Sequence, residues 1–189
     1  EAEATRLVTA ARSGARIGRK FAEEVVAAGD PYDVIHLVGQ SLGAHLTQGF
    51  IDRYRELDGR AEVQATFLDP FLIRGVLGFG YGVRHFGRRA DFAENFMVRG
   101  EPVLGSNRYL RHAHNTDVSA LVEDRLREEF VGAHWWVVAY YRQSVQNEWP
   151  GFDRSAIAND LLEGNAVARL EAMQQVYPRG EVIVLGGRE

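Results

Sequence analysis

An α/β fold, a mainly parallel sheet with helices on both faces, is what this sequence predicts, and three observations predict it. The apolar run Val34 to Val38 has the length of a buried strand. A helical pattern follows it closely, with Leu42, Leu46, Phe50, Tyr54 and Leu57 spaced three or four apart. A second strand-like run, Glu62 to Leu68, comes next, across the turn Asp58-Gly59-Arg60. Strand and helix alternating in this way is the pattern of a parallel sheet covered by helices. Finally, 189 residues with 46% hydrophobic and 25% charged content suffice for one domain, spanning 1–189, with a sizeable core.

The remaining elements read in order as follows. Thr5 to Ala28 is one helix, with the interrupted apolar stripe Leu7, Ala11, Ile17, Phe21, Val25 and Ala28. Gly14 and Gly18 weaken it slightly, and Gly29-Asp30-Pro31 ends it. Glu1 to Ala4 carry no targeting pattern and are either native helix or the remnant of an expression leader. A βαβ crossover requires a parallel strand before this first helix, and no stretch supplies one. The expectation is therefore a sheet lacking its amino-terminal strands. Upstream residues are absent, the fold is cut down, or a partner chain completes the sheet.

Phe71 to Arg89 is apolar, glycine-rich and arginine-rich, and is either a mobile flap beside a site or a packed loop. Gly78-x-Gly80-x-Gly82 within it has the wrong spacing for a dinucleotide fingerprint. Phe92 to Val98 and Arg108 to His114 read as short strands or extended segments, around the turn Gly100-Glu101-Pro102 and the loop Gly105-Ser106-Asn107. Val118 to Phe130 is a charged helix whose charges form a solvated face. Val131 to Val145 is an apolar, aromatic helix. After Trp149-Pro150-Gly151, Ser155 caps a helix over Ile157 to Tyr177, which Pro178-Arg179-Gly180 stops; Glu181 to Leu185 is a last strand before Gly186-Gly187. There is no internal repeat and no low-complexity tract.

The chemistry sits at the junction of the first strand and the helix after it. Gly39-Gln40-Ser41-Leu42-Gly43 is a G-x-S-x-G between a strand and a helix, the setting of a nucleophile elbow. Such a turn lifts the serine hydroxyl above the end of the sheet. Side chains at Gly39 or Gly43 are expected to collide where strand and helix pass closest. The turn also aims the first helical N–H groups at whatever Ser41 attacks, so the N–H of Leu42 is half of an oxyanion hole. No stretch before Ser41 supplies the other half.

Asp69 stands just past the carboxyl end of the second strand, where open α/β sheets place ligand-facing groups. It reads as the acid of a triad or as a turn aspartate before Pro70. Asp117 is the second choice for the acid. Gly132-Ala133 places His134 at the mouth of the aromatic helix, after the acid in chain order. It reads as the base or as a helix-start histidine. His36, His45 and His85 are weaker candidates; His45, one helical turn after Ser41, is expected to pack or bond locally. His112 and His114 would share a strand face near Asp117, but no third metal ligand follows at a recognised spacing.

Gly39-Gln40-Ser41-Leu42-Gly43-Ala44-His45 resembles the nucleophile elbow of the pancreatic-type lipase family of the α/β-hydrolases, as found in bacterial lipase-like serine esterases. Leu68-Asp69-Pro70 is similar to the family's acid segment. His134, followed some six residues later by Tyr140-Tyr141 and then Ser144-Val145, is similar to its catalytic-histidine segment. The match covers residues 14 to 146, with three motifs in the family's order. Gln40 departs from the family, which typically has histidine there, and so does the absence of cysteine, since these lipases are usually disulfide-bonded.

The resemblance implies an α/β-hydrolase-like fold and a lipase- or esterase-type activity. A carboxylic ester with an apolar acyl chain would be cleaved by Ser41, His134 and Asp69, without cofactor or metal. It also favours secretion, although no signal peptide is visible. A net charge of −4 argues against a nucleic-acid partner, and no run approaches the length of a membrane helix. Two alternatives stay open: a non-catalytic lipid- or protein-binding relative on the same scaffold, and a thioester or amide hydrolase.

Overall fold

The computed structural model describes residues 2–75, 78, 80–100, 105–106, 108–122, 132–145 and 179–184. The predicted helix over 157–177, the charged helix beyond residue 122, and residues 76, 77 and 79 lie outside these.

Helix α1 (Ala2–Ala27) leads into strand β1 (Val34–Gln40), helix α2 (Gly43–Glu56) and strand β2 (Glu62–Leu68). A short helix α3 (Tyr81–His85) precedes β3 (Phe92–Met97) and β4 (His114–Asp117); helix α4 (Gly132–Val145) and strand β5 (Val182–Val184) complete the described elements. The strands lie in the order β1-β2-β3-β4-β5 and every neighbouring pair is parallel. The expected α/β architecture with a parallel sheet is present.

Strand alternation divides the core into two. On one face Val63, Ala65 and Phe67 of β2 and Ala93 of β3 pack with Ala22 and Val25 of α1 and with Phe50, Ile51 and Tyr54 of α2. On the other face Leu68, Phe92 and Phe96 pack with Ala133, Trp136, Val137 and Tyr140 of α4. Helices therefore cover both faces. Full burial of each large apolar side chain contributes roughly 1.5–3 kcal/mol.

Helices α1 and α2 approach closely. A Cβ on Gly18 would lie 2.0 Å from the Leu46 carbonyl oxygen, and one on Gly49 would lie 2.3 Å from that of Ala15. Gly18, a weakness by helix propensity alone, is the point of contact.

Two expectations are corrected and one pair of alternatives is decided. Within the described sheet β1 lies at the edge and is not buried: Ile35 and Leu37 pack inward, but Val34 and Val38 on its second face are 46% and 51% exposed. The strand expected at 108–114 is displaced to His114–Asp117, and His112 sits in the preceding turn. His112 and His114 therefore do not share a strand face. The buried Asn115 side chain causes the shift: it accepts from Leu110 N–H and donates to the Leu110 and Ala113 carbonyls, folding the approach into a turn. Of the segment after Asp69, Phe71, Leu72, Ile73 and Phe86 are buried, so its described part is a packed loop rather than a flap.

Candidate active site

Parallel pairing sets Gln40 beside Leu68 at the carboxyl ends of β1 and β2, so the next residues, Ser41 and Asp69, emerge side by side. Ser41 has φ +49°, in the left-handed region that a non-glycine residue adopts at a cost of roughly 1–3 kcal/mol. Hydrogen bonds on both sides hold it there: Ser41 N–H donates to the Leu68 carbonyl and Phe71 N–H donates to the Ser41 carbonyl, each at 3.0 Å. The residue is half-buried. This is the sharp strand-to-helix turn that the motif calls for.

Of the two glycines, only Gly39 is needed sterically. A Cβ there would meet Thr47 Oγ1 at 2.6 Å and Gly43 backbone at 3.0 Å, whereas one on Gly43 meets nothing within 4 Å. The expected collision at Gly43 is corrected: its Cα faces open space, and the helix leans on the strand through Thr47 instead. Leu42 has helical angles, φ −60° and ψ −26°, at the start of α2. Its N–H precedes the hydrogen bonds that Ala44 and His45 make back to Ser41 and Leu42, and so belongs to the donors a helix start leaves unpaired within itself.

Asp69 also has a left-handed φ, +43°, and is fully buried. Its N–H donates to the Phe96 carbonyl at 2.8 Å, pinning the turn to β3. Its carboxylate meets His134, which lies in the first turn of α4. His134 Nδ1–H donates to Asp69 Oδ2 at 2.5 Å, and the imidazole is itself buried. A carboxylate only accepts, so with Asp69 ionised the proton of this bond is on Nδ1. The bond ties β2 to α4 across 65 residues of sequence.

Gln40 supplies a second tie that sequence reasoning missed. Its Nε2 donates to the backbone carbonyl of His134 at 3.4 Å, fastening the start of α4 to the elbow strand. The one available signal was its departure from histidine beside the serine.

Asp117 makes its hydrogen bonds to Ser119 and Tyr109 and none to His134. It ends β4, buried, and accepts from the Ser119 N–H at 3.0 Å, from the Ser119 hydroxyl, and from the Tyr109 hydroxyl at 3.4 Å. The other histidines are placed elsewhere. His45 is buried between the rings of Phe71, Tyr81 and Phe86, with centroids 5.0–6.2 Å away. Burial, then the charge of Arg74, pushes its pKa down to about 4. His36 bonds Thr66 at 2.9 Å, and Thr66 donates to Glu94 at 2.6 Å, a polar row across three strands. His85 stacks on Tyr81, and His114 stacks on Phe92.

Among the described residues no group of three or more His, Asp or Glu side chains is arranged to hold a metal ion, and no helix is long and apolar enough to cross a membrane. No protein-family model matches the chain, and no solved structure matches it significantly.

Proposed function

We propose that the protein is a serine hydrolase of the α/β-hydrolase type, cleaving carboxylic esters through Ser41, His134 and Asp69. The observation that carries this reading is the buried bond from His134 Nδ1 to Asp69 Oδ2, with Asp69 leaving β2 where Ser41, in a left-handed elbow, leaves the paired β1. A structural histidine needs no carboxylate held against it. A base that must become an imidazolium in each half-reaction does.

In the first half-reaction Ser41 Oγ attacks the ester carbonyl while His134 Nε2 takes its proton. Asp69 holds the ring in the Nδ1–H tautomer and stabilises its cation. The Leu42 N–H donates to the oxyanion. Collapse expels the alkoxide, which His134 protonates, leaving an acyl-serine; water, activated by the same imidazole, hydrolyses it and restores the hydroxyl. The lipase-like motifs support an ester over a thioester or amide.

Ser41→Ala should fold normally and lose nearly all turnover of 4-nitrophenyl butyrate, a drop of about a millionfold in kcat where a triad nucleophile is removed. Turnover at the wild-type rate in a folded Ser41→Ala protein would rule the reading out. If the wild-type chain is inert as well, a non-catalytic binding role replaces it.

A further inference from the structure

Two stretches of the chain are cationic without relief. Residues 4–22 contain five Lys or Arg and no Asp or Glu; residues 70–90 contain four arginines and no acid, in a protein of net charge −4. The fold packs them together. Ala11 of α1 joins Phe71 and Ile73 in one apolar cluster, and Leu42, the residue after the elbow serine, packs against it. Two arginines flank this cluster, Arg12 next to Ala11 and Arg74 next to Ile73.

Both are exposed, and neither makes an ion pair among the described residues. Each is held by uncharged groups instead. The Arg12 guanidinium lies against Gly75, 3.1 Å from where a Cβ would sit. The Arg74 guanidinium covers the Tyr81 ring at 4.7 Å and donates to its hydroxyl. Tyr81 in turn stacks on His45 at 5.9 Å, one helical turn from Ser41. The two guanidiniums thus lie beside the buried cluster on which Leu42 packs, and among the described residues no acid pairs with either.

The side of the sheet matters. His134, which must protonate the leaving alcohol, comes from α4 on the second face. Arg12 and Arg74 come from α1 and the segment after β2, beside Leu42. A substrate with its alcohol at His134 and its acyl half on the opposite side points that half toward the arginines, past the half-buried Leu42, which rests on the buried Phe71 and Ile73.

We propose that the preferred substrate is a half-ester of a dicarboxylic acid, its free carboxylate bound by Arg12 and Arg74 and its short methylene spacer passing Leu42. This rests on the ester-hydrolase reading above. Hydrolysis by water gives the alcohol and the dicarboxylic acid.

The test compares mono-(4-nitrophenyl) succinate with 4-nitrophenyl butyrate, which match in acyl length and differ in charge. Wild-type kcat/KM should favour the succinate ester, and the preference should fall as ionic strength rises. Arg74→Gln and Arg12→Gln should each lower kcat/KM for the succinate ester about fivefold, as partly exposed pairs do, and leave the butyrate ester unchanged. Equal or better turnover of the neutral ester, or variants that affect both esters alike, would overturn the proposal. Inactivity toward both esters is the failure of the hydrolase reading itself. In that case binding of the succinate ester to Ser41→Ala, measured by calorimetry and weakened by Arg74→Gln, would uphold the anion site alone, and no binding would overturn that too.

Discussion

Ser41, Asp69 and His45 illustrate three ways a residue depends on its surroundings. Ser41 and Asp69 hold left-handed backbone angles that only flanking hydrogen bonds to Leu68, Phe71 and Phe96 sustain. His45 holds a neutral ring in an aromatic cage, its pKa lowered from 6.5 to about 4. The linkage has a definite sign. Between these two values the unfolded chain binds a proton at His45 and the folded chain does not, so stability falls as pH falls through that window. The contribution is fully present above pH 6.5 and amounts to roughly 3 kcal/mol, lost progressively toward pH 4. Urea unfolding of wild type and His45→Leu between pH 7.5 and 4 measures it. The stability difference between them should narrow or reverse as pH falls; parallel curves would contradict the assignment. Of these three residues, Ser41 was legible from its motif and Asp69 from its place after a strand. The caging of His45 was legible only as a local packing role, because Tyr81 and Phe86 reach it from the short helix α3 and its end, in a glycine-rich stretch with no periodicity. Gln40 was not legible as a tether, since its partner is a backbone carbonyl 94 positions away.

Among the elements, β2 runs over the predicted residues, Glu62–Leu68, because Val63, Ala65 and Phe67 alternate with Glu62, Gln64 and Thr66 and a turn bounds it. β1 continues two residues further than its apolar run. Gly39 and Gln40 have poor strand propensity, but pairing with Phe67 and Leu68 carries the strand on. β4 was legible only as a strand placed too early in the chain. His-Asn-Thr-Asp has little β character, while Tyr109-Leu110 looked better; the Asn115 side chain and the partners β3 and β5 decide the outcome. Helix α1 was legible, but Gly18 was misjudged, since propensity does not register a neighbouring helix. Gly18→Ala should gain up to about 1 kcal/mol in intrinsic helix preference. It should lose more by forcing a methyl into the Leu46 carbonyl, for a net destabilisation of roughly 1–3 kcal/mol. Thermal melts followed by circular dichroism check this; a raised Tm would show that α1 and α2 can separate freely.

At the scale of the molecule, the sheet acts as a positioning device. Residues 41, 69 and 134 come from two adjacent strand ends and from a helix on the second face, and the bonds Asp69–His134 and Gln40–His134 close that arrangement at one edge. The α/β class was legible because strand and helix alternate over residues 34–68. The edge position of β1 follows from strand order, which no single segment encodes. The account stands on Ser41 being a reactive nucleophile, and a fluorophosphonate probe tests that most directly. Intact-protein mass spectrometry after treatment of the folded wild-type chain should show one stoichiometric adduct, mapped by peptide sequencing to Ser41 and absent in His134→Ala. A folded chain that takes up no label, or takes it up elsewhere, would contradict the account.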